Sequence, residues 1–287
     1  MKLVTYQTDQ GPRVAAMVPR GLVDLNHVDE RIPRDMIELL ASWDELKPRA
    51  EVAVDSDRAI PREAVRLLPP IPRPEKVICV GLNYADHAKE GGKSPPEEPV
   101  FFAKFPTTVR ADGDPIVLPR LSQEVDYEAE LVVVIGRGGR RIRRNQALAH
   151  VAAYACGNDV SARDWQKGKP GGQWLLGKSF DSFAPFGPAL TTADEVPNPA
   201  NLEIQLRLNG QTMQHSNTNQ LLYPIDFLIE YVSAVCTLSP GDLIFTGTPA
   251  GVGFARKPPV FLKPGDTVAV EIEGLGVLTN PVVAEEV

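Results

Sequence analysis

The sequence predicts a β-rich α+β chain in two parts: a small N-terminal α+β domain over residues 1–70 and a larger β-rich domain over residues 71–287. Three observations predict it. Glycine and proline together make up 50 of the 287 residues (23 plus 27), above the roughly 12% of an average chain, which favours short strands and turns over long helices. Four prolines between Pro69 and Pro74 fix φ and remove backbone donors, giving a stiff, extended connector. Beyond it, apolar segments of strand length follow one another, bounded by turn residues.

In the first part, Lys2 to Tyr6 and Val14 to Val18 read as strands, and Arg34 to Trp43 as a helix with Met36, Ile37, Leu39 and Leu40 apolar. In the second, strands are expected at Val77 to Leu82, Val100 to Lys104, Val125 to Ile135, Leu202 to Leu208, Leu243 to Thr246 and Thr267 to Ile272. Leu202, Ile204, Leu206 and Leu208 alternate with polar residues and run into Asn209-Gly210, a strong hairpin signal. Helices are expected at Asn145 to Tyr154 and at Pro224 to Val235, where Ile225, Leu228, Val232 and Val235 line one face.

The net charge of −7 disfavours a nucleic-acid binder. The one dense basic run, Arg137 to Arg144, has no interleaved aromatics and reads as a solvated turn. No segment approaches the roughly 18 apolar residues of a membrane span, and the first twenty residues lack the apolar stretch of a signal peptide. Cys79, Cys156 and Cys236 are far apart in apolar stretches and read as buried, reduced thiols. A cytoplasmic chain is expected.

Chemistry concentrates in a few places. From Val125 to Val132 the alternation puts Asp126, Glu128 and Glu130 on one strand face, where residues i and i+2 lie about 6.6 Å apart. Such carboxylates repel unless solvent or a cation separates them, so the segment reads either as an acidic solvent face or as a cation site. Asp159, placed by a capping-box pattern at Ser161 to Asp164 just before a helix, is either a turn residue or the third carboxylate. Together Glu128, Glu130 and Asp159 make an all-oxygen set that suits Mg²⁺, Mn²⁺ or Ca²⁺ and not zinc.

Asn83 is placed to cap a short helix on which His87 and Glu90 stand three apart, either as an exposed ion pair or as a general base with its orienting carboxylate. The string Gly172 to Ser179 satisfies G-x-x-x-x-G-K-S, yet it follows a glycine- and lysine-rich stretch instead of a strand, and Pro185 and Pro188 forbid the long helix it should open. It is rejected as a nucleotide loop. Lys178 can instead bind a substrate carboxylate or stabilise an enolate, and Thr248, in the glycine-rich turn from Thr246, can face a carboxylate.

These motifs occur in an order that resembles the fumarylacetoacetate hydrolase family: Gly81-Leu-Asn-Tyr-Ala-Asp-His87, Glu128-Ala-Glu130-Leu, Asn158-Asp159-Val-Ser-Ala-Arg163-Asp-Trp-Gln166, Gly177-Lys178-Ser-Phe and Thr246-Gly-Thr248-Pro. The resemblance covers residues 75–287 and is nearest to the domain-containing protein 2 subgroup. It implies a mixed β-sandwich roll, usually dimeric, with Mg²⁺ (or Mn²⁺) on Glu128, Glu130 and Asp159. It further implies substrate contacts at Lys104, Arg163, Gln166, Lys178 and Thr248, and a lid carrying His87 and Glu90.

Family substrates are 2-keto or 2,4-diketo acids, so a small anionic keto acid is the expected partner. The first activity expected is hydrolysis of a carbon–carbon bond in a 2,4-diketo acid, with His87 and Glu90 activating water. The second is decarboxylation or keto–enol tautomerisation of oxaloacetate at the same metal site. The third, from another class, is a non-catalytic metal-dependent binding protein.

Overall fold

A computed structural model describes residues 1–90 and 94–286, with the side chains of residues 87–89 outside the description. The segment Ala129–Ile135 sets the centre of the fold: every residue of this strand is buried. Leu131, Val133 and Ile135 enter one core, and Val132 and Val134 the other, as the period of a pleated strand requires. Its antiparallel neighbour Val151–Asn158 is equally buried.

A strand covered on both faces loses the polar–apolar alternation that marks a strand in sequence. That explains the error at Asn145 to Tyr154, where a helix was expected. A short helix, Arg144–Ala147, and a 3₁₀ turn end at His150, and the alanine-rich run that follows is sheet. Tertiary burial there overrides local preference.

The main sheet is mixed and holds 12 strands among the described residues. Its centre runs Lys2–Thr8, Ala184–Thr192, Val151–Asn158, Ala129–Ile135, Leu243–Phe245, Val77–Gly81, Val100–Lys104. A second sheet of five strands, centred on Glu203–Leu208 and Thr267–Ile272, packs on one face. Its hairpin turns at Asn209 and Gly210, both at positive φ (53° and 81°), as a two-residue type I′ turn requires. The helix Ile225–Val235 buries Leu228, Ile229 and Val232 in the core between the sheets. The architecture is the expected β-rich α+β roll.

The N-terminal strands do not form a sheet of their own. Lys2 and Leu3 pair with Thr191 and Leu190, and Leu39, Leu40, Trp43 and Leu46 share a core with Val134, Phe186, Leu243 and Phe245. The prolines at 69–74 separate two stretches of chain, not two cores, because a stiff connector reports local geometry and not which strands pair across it. The expected helix is shorter, Met36–Ala41, capped by Asp35, whose carboxylate accepts the N–H groups of Ile37 and Glu38. A second helix, Trp43–Val54, contains Pro48 and was therefore not legible from its sequence.

Strand register gathers the functional segments at one end of the main sheet. Ala129 pairs with Asn158 and Glu130 with Gly157, so the start of one strand meets the end of the other. The Asp159 N–H then donates to the Glu128 carbonyl at 2.9 Å. Leu243–Phe245 runs antiparallel to Ala129–Ile135 and parallel to Val77–Gly81, so the loops after Phe245 and Gly81 open at that same end.

Candidate active site

The segment Val125 to Ile135 is not one strand but two, Val125–Asp126 and Ala129–Ile135, with Glu128 in the break. The carboxylates of Glu128, Glu130 and Asp159 nevertheless converge, with one oxygen of each within 4.8 Å of the others. All three are buried, so this is not a solvent face. Asp126 leaves the cluster. One of its oxygens accepts the Tyr127 and Gly253 N–H groups, and the other accepts Phe254 N–H and Arg163 Nε.

Three cations face the carboxylates. Lys178 Nζ donates to Glu128 Oε2 and Asp159 Oδ2, each at 2.7 Å. Burial would lower its pKa, but the carboxylates of Asp159 and Glu128 outweigh burial and hold it above the usual lysine value. Lys104 Nζ donates to Asp159 Oδ1 and to the Val160 carbonyl; burial dominates there and depresses its pKa despite Asp159. Arg163 is engaged through all three nitrogens: Nε with Asp126, Nη2 with Glu128 at 2.6 Å, and Nη1 with Gln166 Oε1 at 3.0 Å. The guanidinium thus holds Glu128 in place, and a substrate contact would compete with these bonds.

Glu130 decides how well the site fits a cation. Its Oε2 accepts the Gly247 N–H at 2.8 Å, and among the described residues no lysine or arginine forms a salt bridge with it. Burial, then repulsion from Asp159 and Glu128, pushes its pKa well above the carboxylate range. Four buried carboxylates, Asp126 included, stand against three buried cations, so a divalent cation would turn one excess negative charge into one positive. All-oxygen donors suit Mg²⁺ or Mn²⁺, so the residues fit the ion.

A cavity of about 80 Å³ opens on this cluster, lined by Glu128, Glu130, Gln166, Lys178, Thr248 and Trp174 among others. Gln166 Oε1 is taken by Arg163, and its amide nitrogen bonds no described residue. Lys178 sits on the five-residue helix Trp174–Lys178, which explains structurally why the G-x-x-x-x-G-K-S string is no phosphate loop. Gly177 lets this helix touch its neighbour, because a Cβ there would lie 2.6 Å from Gln166 N and 2.9 Å from its Cα.

Sequence reasoning missed several parts of the site. Trp174 walls the cavity and meets Phe102 edge-on at 5.3 Å. Lys167 lines the cavity with its ammonium 3.5 Å above the centre of the Phe254 ring. Gln214 supports Thr248. Among the described residues, the Asn83 side chain bonds Thr246 O and the backbone of Tyr223. One local expectation fails. The helix after Asp159 has Ala162 at its N-cap, with Ser161 turned back to the Asp159 carbonyl.

The helix Ala85–Glu90 carries His87 and Glu90. The His87 side chain lies outside the described residues, as do residues 91–93 of the expected lid. Glu90 accepts the Gly251 N–H at 3.0 Å, and Asp86 accepts the Ser216 hydroxyl at 2.7 Å. These bonds fix the helix to the loop after Thr248 and to the strand Gln211–Asn217.

A mixed β-roll with this carboxylate cluster at one sheet end defines the fumarylacetoacetate hydrolase class of enzymes. The family model for the fumarylacetoacetate (FAA) hydrolase C-terminal domain matches residues 76–283, and the chain belongs to this family. It is 49% identical to a Bos taurus protein named oxaloacetate tautomerase FAHD2A, mitochondrial, over 99% of this chain and 92% of that protein. The crystal structure of a putative HpcE protein from Mycobacterium smegmatis superposes with a TM-score of 0.89 at 41% identity, covering 100% of both chains. That of maleylpyruvate hydrolase from Sphingobium sp. SYK-6 with manganese(II) and pyruvate gives 0.84 at 31% identity, again covering 100% of both.

The expectation of a cytoplasmic chain is corrected by these relatives, since the bovine protein is named as mitochondrial. Cys79 and Cys156 are buried as expected and Cys236 is partly exposed, and all three are free thiols, which does not single out one compartment.

Proposed function

We propose that this protein is a divalent-metal-dependent keto–enol tautomerase of a small 2-keto dicarboxylic acid, with oxaloacetate the first candidate. The observation that carries the reading is the size and lining of the cavity: about 80 Å³, against the 300 Å³ or more of a typical ligand pocket, with Glu128, Glu130, Lys178, Gln166 and Thr248 all in its wall. The bovine relative's name supports the same choice. This inverts the order expected from sequence, in which hydrolysis of a diketo acid came first.

Glu128, Glu130 and Asp159 would hold Mg²⁺ or Mn²⁺, which supplies Lewis-acid polarisation of the 2-oxo group and its neighbouring carboxylate. Lys178 and the Gln166 amide place donors where negative charge grows on the 2-oxo oxygen. Arg163 and Lys104 hold Glu128 and Asp159 and offset part of the carboxylates' charge. Thr248 binds a carboxylate. His87 takes a proton from C3. The C–H electron pair becomes the C2–C3 double bond, the carbonyl π pair moves to the C2 oxygen, and His87 returns the proton to that oxygen. No water is consumed and no carbon–carbon bond breaks.

The test follows enol-oxaloacetate decay, carbon dioxide release and acylpyruvate cleavage side by side, with Mg²⁺ or Mn²⁺. Accelerated enol decay without carbon dioxide release or cleavage is expected, falling at least about a hundredfold in His87→Ala. Enol decay no faster than in buffer would overturn the reading, and cleavage of acylpyruvates would restore hydrolysis.

A further inference from the structure

Gln214 lies outside the cavity lining, yet its bonds converge on it. It belongs to the strand Gln211–Asn217, whose register against Glu203–Leu208 breaks between Leu206 and Arg207, so that Met213 and Gln214 are both buried between exposed neighbours. A bulge of this kind re-aims a side chain. Here it turns Gln214 inward, to 1% exposure.

The bonds of Gln214 admit one orientation of its amide. Oε1 accepts the Ala129 N–H at 2.9 Å, between Glu128 and Glu130 in sequence. Nε2 therefore faces the remaining partners, and donates to Thr248 Oγ1 and the Pro249 carbonyl, both at 2.8 Å. Reversing the amide would set donor against donor and carbonyl against carbonyl. Thr248 thus accepts from Gln214, and its own hydroxyl proton has no acceptor among the described residues. Thr248 is 5% exposed and lines the cavity, so the proton is left for an oxygen held there.

We propose that Gln214 is a positioning residue that fixes the Thr248 hydroxyl as a hydrogen-bond donor to a carboxylate oxygen of the bound acid. The inference rests on the proposed keto-acid site, and names the group that orients its carboxylate. Because Gln214 also holds the Ala129 N–H, one amide sets the distance between this donor and the carboxylates on either side of Ala129.

The probe is oxalate, a small dianion that cannot turn over, titrated calorimetrically into the full-length protein with saturating Mg²⁺. Thr248→Val removes the donor and is expected to weaken oxalate at least about tenfold, the worth of one hydrogen bond to a charged group. Gln214→Glu keeps an acceptor for Ala129 and offers Thr248 an acceptor in place of a donor, so the hydroxyl proton turns from the cavity. Its expected loss is similar, and the double variant should bind no more weakly than Thr248→Val alone.

If the added charge merely repelled the anion, the two losses would multiply, and that result overturns the proposal. Gln214→Met, which adds no charge, should show the same non-additivity; oxalate binding within about twofold of wild type in that variant also overturns it. Wild type that fails to bind oxalate overturns this inference with the anion site. Oxalate binding without tautomerase activity overturns only the proposed activity.

Discussion

Glu130→Gln is expected to stabilise the metal-free protein while abolishing its response to metal. The structure supplies both signs. Burial and the charges of Asp159 and Glu128 raise the Glu130 pKa well above 4.5, so its folded value exceeds its unfolded value. Stability from such a group is complete below the unfolded pKa and is lost as pH rises through the folded one. At pH 7 the loss is at most about 3 kcal/mol, from 1.36 kcal/mol per unit between 4.5 and 7. Glutamine lacks this penalty, and its amide oxygen still accepts the Gly247 N–H. At about 2 °C per kcal/mol for a chain of this size, the metal-free variant should melt up to about 6 °C above wild type, with the gain growing from pH 5 to pH 8. Wild type with Mg²⁺ at about 100 times its Kd should gain about 2.7 kcal/mol, or about 5 °C, and the variant none. Differential scanning calorimetry with chelator or Mg²⁺ reads both. A metal-free variant that melts below wild type, or keeps the Mg²⁺ shift, would refute the assignment of Glu130 as a ligand under charge stress.

Gly177→Ala forces a Cβ to within 2.6 Å of the Gln166 backbone nitrogen. It should cost about 1–3 kcal/mol in denaturant unfolding and reduce turnover by displacing Lys178; unchanged values of both would show that the two short helices can separate freely. Trp174→Ala removes the wall against Phe102 and should raise kcat/KM for acylpyruvates relative to oxaloacetate by about tenfold or more, whereas an unchanged ratio would show that Trp174 does not limit substrate size. Cys79 and Cys156 are buried and Cys236 is partly exposed, so one thiol should react readily with a disulfide reagent at pH 8 and three after unfolding. Burial pushes the Cys156 thiol up to about 12, so its share of stability, complete below about pH 9, should fall as pH rises from 9 to 12; alkaline unfolding unaltered by Cys156→Ala would contradict this.

Glu128 and Glu130 were legible from their i, i+2 spacing, although only Glu130 lies on a strand and Glu128 sits in the break before Ala129–Ile135. Asp159 was legible only as a companion in a motif, since register alone brings it to Glu128. Asp126 obeys the same period yet has another task, as Arg163 and the 253–254 backbone claim its oxygens. Gln214 gave no signal, because Gln211–Asn217 is too polar to read as a strand and its bulge depends on pairing with Glu203–Leu208. The shared N-terminal sheet was hidden for the same reason: the pairing of Leu3 with Leu190 leaves no trace in either segment alone.

The net charge of −7 misleads if it is read as a uniform property. Among the buried charged groups in and beside the carboxylate cluster, Asp126, Glu128, Glu130 and Asp159 are one charge in excess of Lys104, Lys178 and Arg163. That single excess discriminates between ligands. A buried site with one excess negative charge disfavours an anion on its own, because the carboxylates dominate. On the proposed function, two added positive charges would change the sign of the balance, and a keto-acid carboxylate would then enter a positive pocket beside Gln166 and Thr248. The affinities of metal and acid are then expected to reinforce each other by the same factor in either order of addition. An arginine in place of Lys104 or Lys178 would preserve the charge but not the compact point donor that reaches Asp159 between its neighbours.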